Sequence, residues 1–332
     1  MGRAESKLAQ VSDVFKYVLP LSLILEYFFM NIDDLNFERT VVTVGSFDGV
    51  HCGHRALLRR VVDIAARHSL RSVILTFCPH PRQALDPKGE TPLLLNTPDE
   101  RIALLKQTGI DDVIVVPFDN VLSQMSASDF IREIIIGKYN AKYLVVGQDH
   151  HFGKGRSGNV QHLREFVSQS DLQAEVVDLK SSDRKISSSA IRKALLNGDL
   201  MQANEMLGYE YIISGKIITG NQLGRTIGFP TANIEIAEYK LLPKEGVYRV
   251  RIKNSDHVGM MHIGKRTILK QEDAAVHVEV NIFDFDQQIY GKEITLALTH
   301  RIRDHIRFDN IEQLTGQLHR DKQKVLSINL KI

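Results

Sequence analysis

Residues 41–54, VVTVGSFDGVHCGH, limit the possible folds more than any other stretch. Val41 to Val44 is an apolar run of strand type, and Gly45 and Gly49 mark a tight turn after it. The residues that follow, RALLRRVVDIAARH, carry a helical pattern. Strand, turn and helix in that order build the first unit of a parallel sheet. His51 and His54 stand three apart at the helix start, so both imidazoles share one face of its first turn. Open α/β sheets bind ligands outside the carboxyl ends of their strands, and free N–H groups at a helix start favour phosphate. Two imidazoles in such a notch suit nucleotidyl transfer. That chemistry needs the charge on the α-phosphate and pyrophosphate neutralised, and needs no protein nucleophile.

From there to about residue 208, strands and helices alternate. Strands are predicted at 41–45, 71–77, 112–116, 143–147 and 174–179, with helices at 54–68, 98–107, 127–138 and 160–168. This is a parallel sheet with helices on both faces. A helix pair, KISSSAIRKALLNGDLMQANEMLG, closes this part. From residue 209 strand-like runs follow one another, as in YIISGKIIT, GVYRVRI and VHVEVNIFDF, and a final helix, NIEQLTGQLHRDKQKV, ends the chain. That composition is an antiparallel β-barrel. The expected domains are therefore 31–208 and 209–332, in line with two domains for 332 residues. Residues 1–30 are expected to be an extension outside the fold. Their apolar run is interrupted by Lys16, Pro20 and Glu26, too short to span a bilayer, and no cleavage site stands out. A net charge of +2 gives no argument for nucleic acid or a membrane as partner. Two cysteines without metal spacing point to a reducing cytoplasm and no structural metal.

Three more stretches carry chemistry. FCPHPRQAL, at 77–85, follows the second strand; its prolines stiffen the loop, and His80 and Arg82 could reach phosphate. VVGQDHHFGKGRSG, at 145–158, spells G-x-G-x-x-G at Gly153, Gly155 and Gly158, with Asp178 twenty residues on. A dinucleotide site would need the glycines at the strand end, but QDHHF intervenes after Gly147. GKIITGNQLGRTIGFPTANI, at 215–234, is rich in glycine, yet no Walker A sequence occurs in the chain.

These motifs together resemble the bifunctional riboflavin kinase/FAD synthetases, a branch of the HxGH nucleotidylyltransferases. The resemblance implies a Rossmann-like α/β nucleotidyltransferase domain, then a small antiparallel riboflavin kinase-like β-barrel with a C-terminal helix. It implies that Gly45, Phe47, Asp48, His51, His54, Ser188, Ser189 and Arg192 hold ATP for adenylyl transfer, the serines at a helix N-cap. Pro79, His80, Asp149 and Phe152 would hold the flavin; His150 stands where an aromatic is usual. In the barrel, Gly215, Lys216, Gly220, Gly224, Arg225 and Pro230 would bind ATP, and Thr231 and Asn233 would help hold Mg²⁺. Glu279 would be the base for the kinase step, beside His277 and Asn281 on one strand face, at the barrel mouth. Asn281 stands where the family has His, His262 where it has Asn, and His305 where an acidic residue is common. Riboflavin, FMN and ATP are then substrates, and the protein a monomer or transient oligomer. Two other readings stay open: a catalytically weakened flavin sensor, and an adenylyltransferase for a different phosphate ester.

Overall fold

The computed structural model describes residues 37–85, 92–178, 186–220, 223–265 and 276–328. The expected extension, 1–30, lies outside them. Two compact units divide the chain.

The first unit takes the described residues up to Pro92 and those from Arg101 to 178. Its sheet has five parallel strands: β1 (Thr40–Val44), β2 (Arg71–Cys78), β3 (Asp112–Pro117), β4 (Ala141–Gly147) and β5 (Gln173–Val177). Their order is β3-β2-β1-β4-β5. The chain runs outward from β1 to β3, then crosses to the other side of β1, so the order reverses between β1 and β4. Every residue of β1 is buried, as a central strand covered on both faces must be. Helix α1 (Cys52–His68) buries Leu57, Leu58, Val61 and Ile64, the apolar face read from the sequence. One expected helix, 127–138, differs. It is a short turn, Ala127–Asp129, followed by a π-helix, Phe130–Lys138. There the N–H of Tyr139 reaches back five residues to Ile134 O at 3.2 Å.

The second unit takes Leu93–Glu100 and the described residues from Ile186 on. Six strands close an antiparallel barrel in the order β10-β7-β6-β11-β8-β9. They are β6 (Ile212–Ile218), β7 (Ala232–Glu235), β8 (Gly246–Ile252), β9 (Val258–Lys265), β10 (Val276–Ile282) and β11 (Glu293–Asp304). The expected closing helix pair, α2 (Ser188–Asn197) and α3 (Leu200–Leu207), packs here rather than with the parallel sheet. Ile191, Leu195, Leu200 and Leu207 share one apolar cluster with the barrel residues Ile213, Leu296 and Leu298. Helix α4 (Ile311–Ser327) lies on the barrel's outer face, where its Val325 joins Val247, Met260, Phe283 and Ile302.

Candidate functional site

In the first unit the histidine pair sits at the carboxyl end of β1, at the point where strand order reverses. The turn from β1 into α1 is tight. Phe47 and Val50 have φ of 48° and 37°, Gly49 has φ of 88°, and Val50 donates to Phe47 O at 3.0 Å. Left-handed backbone at a β-branched residue is costly and persists where surrounding structure imposes it. Gly45 is packed against the Phe47 ring, 3.3 Å from where a Cβ would stand. His51 is the N-cap of α1: its Nδ1 accepts the His54 N–H at 3.3 Å. The two imidazoles stack, with ring centroids 3.6 Å apart and planes 13° from parallel, and Phe47 meets His54 edge-on. Burial lowers the His51 pKa to about 4, and it lowers His54 well below its usual value with His51 adding to the effect. Both rings are therefore neutral near pH 7. Because His51 Nδ1 accepts a hydrogen bond, its proton is on Nε2, leaving a donor beside the turn. Asp48 is buried in the same turn.

The second block and the glycine loop are also in this unit. Cys78–Pro79 is cis. His80 is spent partly on structure: its Nδ1 accepts the Arg82 N–H at 3.2 Å, and its carbonyl accepts from Gln83 and Ala84. Asp149 is exposed in the turn after β4. Phe152 packs inward against Phe130 and His162, and its ring fills the space where a Cβ on Gly158 would stand. Phe152 and Gly158 exchange backbone hydrogen bonds of 3.0 and 2.9 Å, so the aromatic pins the glycine loop. The glycines begin six residues after the end of β4 and enclose a single turn, Lys154–Arg156, before the helix Val160–Val167, which agrees with setting the dinucleotide reading aside. His150 stacks on Phe152, and burial lowers its pKa to about 4.

Ser188, Ser189 and Arg192 fall in the second unit, on α2. The first serine of the run is the cap. Ser187 Oγ accepts the Ala190 N–H at 3.2 Å, so Ser188 and Ser189 occupy the first turn. The Arg192 Nε donates to Leu93 O at 2.7 Å.

In the barrel the register decides which residues meet. Val278 and Val280 belong to the interior cluster with Met261, Ile263 and Ile234. Glu279 therefore faces outward, not into the barrel mouth. Opposite it stand Asn233 on β7 and His262 on β9, a row of three side chains across adjacent strands. The glycines of the signature serve close approach. A Cβ on Gly220 would lie 1.9 Å from Asn233 Nδ2, and one on Gly224 would lie 2.1 Å from Phe229 O and 3.2 Å from Thr231 Oγ1. At Gly215 a Cβ would strike Glu235 O at 2.2 Å and Ile234 Cγ2 at 2.8 Å, so this glycine lets β6 pack closely against β7. Lys216 is exposed on β6, and Arg225 on the single helical turn Leu223–Thr226. Asn281, the departure from His, donates its amide to Pro230 O at 2.7 Å and so fixes the FPTAN loop. Sequence reasoning missed that bond, since it joins residues 51 apart. Of the rim departures, His262 Nε2 and His305 Nδ1 lie 2.9 Å apart. The stretch 266–275 is outside the described residues.

A family model for FAD synthetase matches residues 33–190, and one for riboflavin kinase matches residues 207–329. A bifunctional riboflavin kinase/FMN adenylyltransferase from Bacillus subtilis is 36% identical over 291 residues, 87% of this chain and 92% of that protein. The chain belongs to this bifunctional family. A second relative of the same description, from Listeria monocytogenes, is 35% identical over 88% of this chain and 93% of its own length. A crystal structure described as a macrolide-efflux protein from Streptococcus pneumoniae is 32% identical with a TM-score of 0.77, covering 90% of this chain and 98% of that one. Efflux is said of that protein alone. Among the described residues here, no helix is long and apolar enough to cross a membrane.

Proposed function

We propose that this chain phosphorylates riboflavin to FMN with ATP, and then transfers the adenylyl group of a second ATP to FMN, giving FAD and pyrophosphate. One observation carries this reading: each family match encloses its own constellation, the stacked histidines in one and the Asn233–Glu279 pair in the other.

For adenylyl transfer, the FMN phosphate oxygen attacks the α-phosphorus of ATP and the bond to pyrophosphate breaks. His51 and His54 act as neutral donors to the phosphate oxygens on which charge builds. Gly45, Phe47 and Asp48 shape the turn around the triphosphate. Ser188, Ser189 and Arg192, which the resemblance assigns to phosphate, stand on α2 of the second unit, and no part of this step is routed through them. Pro79, His80 and Asp149 line the flavin side, with Phe152 acting through the loop it pins.

For the kinase step, the terminal hydroxyl of the ribityl chain attacks the γ-phosphorus of ATP, ADP leaves, and Glu279 takes the hydroxyl proton. Lys216, Gly220, Gly224, Arg225 and Pro230 approach the nucleotide. Thr231 and Asn233 offer neutral oxygens, packed closely against Gly224 and Gly220 where a side chain would displace them, a donor set that fits Mg²⁺ sharing phosphate oxygens. When bound, that ion neutralises charge on the phosphates. The weakened-sensor alternative loses one of its motives, because Asn281 has a structural task in the loop.

The test is to incubate the protein with riboflavin, ATP and Mg²⁺ and separate the flavins by chromatography. FMN followed by FAD is expected; neither product would overturn the reading. Supplying FMN or another phosphate ester directly distinguishes the remaining alternative.

A further inference from the structure

We propose that His262, held in place by His305, binds the acceptor side of the kinase reaction, hydrogen-bonding the polyol chain of riboflavin next to the hydroxyl being phosphorylated. The inference rests on the kinase reading above and adds to it a residue of substrate recognition.

The argument starts from the row on the barrel's outer face. Asn233, Glu279 and His262 are direct cross-strand partners on β7, β10 and β9. Their backbones are about 4.8 Å apart from strand to strand. If phosphate is held over Asn233 and the reacting hydroxyl lies over Glu279, in-line transfer leaves one direction for the rest of the acceptor. It continues away from the phosphate, over β9, where His262 stands. Beyond His262 the next residue in register is Val247 on β8. Val247 is covered by the cluster that includes Val325 of α4. His262 is thus the last polar group of the row before that apolar cover.

Its chemistry fits a polyol. The Nε2 of His262 is engaged with His305 Nδ1 at 2.9 Å, which fixes the ring. The His305 ring fills the space beside Gly264, 2.8 Å from where a Cβ would stand. Among the described residues, Nδ1 of His262 has no hydrogen-bond partner. Depending on the tautomer, Nδ1 donates or accepts. A hydroxyl can meet either need, whereas a phosphate oxygen can only accept. Burial, with His305, Arg303 and His277 adding to it, lowers the His262 pKa to about 4, so the ring is neutral at working pH. A neutral ring suits an uncharged chain of hydroxyls.

The experiment compares two acceptors, riboflavin and an isoalloxazine carrying a 5-hydroxypentyl chain. The second keeps the reacting hydroxyl and lacks the internal ones. The expected result for His262→Ala is a riboflavin KM raised roughly 3–10-fold, the worth of one hydrogen bond. The ATP KM should not move, and the hydroxypentyl acceptor should show no penalty. His262→Asn, which keeps a hydrogen-bonding group, should recover part of the loss, and His305→Ala should repeat it more weakly. An unmoved ATP KM and normal turnover of the hydroxypentyl acceptor report that the barrel of each variant is folded. An equal loss on both acceptors, no loss on either, or a change confined to the ATP KM would overturn the inference. Wild-type protein that makes no FMN from riboflavin would overturn the kinase reading itself, which is a different outcome.

Discussion

A single side chain can separate the two activities. His54 lies in the first unit, stacked on His51. We expect His54→Ala to lower FAD formation roughly 10²–10³-fold by removing a donor to developing charge, with FMN formation intact; FAD made at the wild-type rate would dismiss His54 from the site. The complementary change is Glu279→Gln, which keeps the shape of the outward-facing row. It should slow riboflavin-to-FMN turnover by about 10²-fold or more and spare conversion of supplied FMN. Near-normal kinase turnover would shift the role of base to another group. His51 also makes stability depend on pH. Its pKa falls from 6.5 to about 4 on folding because the ring is buried. Between those values the unfolded chain binds more protons, so stability rises with pH from 4 to 6.5. The thermal midpoint should drop as pH is lowered through that window. His51→Asn keeps a capping acceptor and should flatten the slope without removing it, since His54, His150 and His262 are lowered in the same sense. A slope left unchanged would place the dependence wholly on those other groups.

Among the elements, the least legible in the sequence is the segment Leu93–Glu100. It stands between two first-unit stretches, yet it belongs to the second unit. Leu94 exchanges backbone hydrogen bonds with the chain at Tyr239 and Leu241, of 2.7 and 2.8 Å. Thr97 and Glu100 form a capping box, and Glu100 also accepts from Lys240 Nζ at 2.6 Å and from the Ser214 N–H at 2.8 Å. The Lys240 ammonium is fully buried, donating as well to Leu95 O and Ile212 O. Breaking such a pair leaves an uncompensated charge in the interior. Lys240→Ala should therefore cost about 3–5 kcal/mol in denaturant unfolding of the second unit; a loss of a few tenths would mean water reaches the site. None of this follows from periodicity, because it depends on a lysine 140 residues from its carboxylate. Local patterns were legible: the five parallel strands, the six barrel strands and the histidine helix start all follow from period and turn residues. Periodicity did not reveal the π-helix at Phe130–Lys138, whose apolar residues also suit an ordinary helix. It placed Glu279 on the correct side of its strand but not on the outside of the barrel, since alternation gives two faces and only packing says which is interior.

At the scale of the whole molecule, the question is how FMN gets from the site that makes it to the site that uses it. The two constellations lie in separate compact units, each with its own apolar cluster. Nothing in either chemistry requires the other. FMN is a product released by one reaction and a substrate taken up by the next, so exchange through solution is sufficient. This leads to a test by mixing. Protein with His54→Ala keeps the kinase and loses adenylyl transfer; protein with Glu279→Gln does the reverse. Neither alone should convert riboflavin to FAD at an appreciable rate. Mixed in one solution with riboflavin, ATP and Mg²⁺, they should restore FAD formation after a lag, during which free FMN accumulates. The lag should shorten as the Glu279→Gln protein is increased, because that partner consumes the intermediate. Added FMN should abolish it. If the mixture stayed inactive while each partner performed its own half-reaction on supplied substrate, FMN would have to pass within one molecule without release, and exchange through solution would be ruled out.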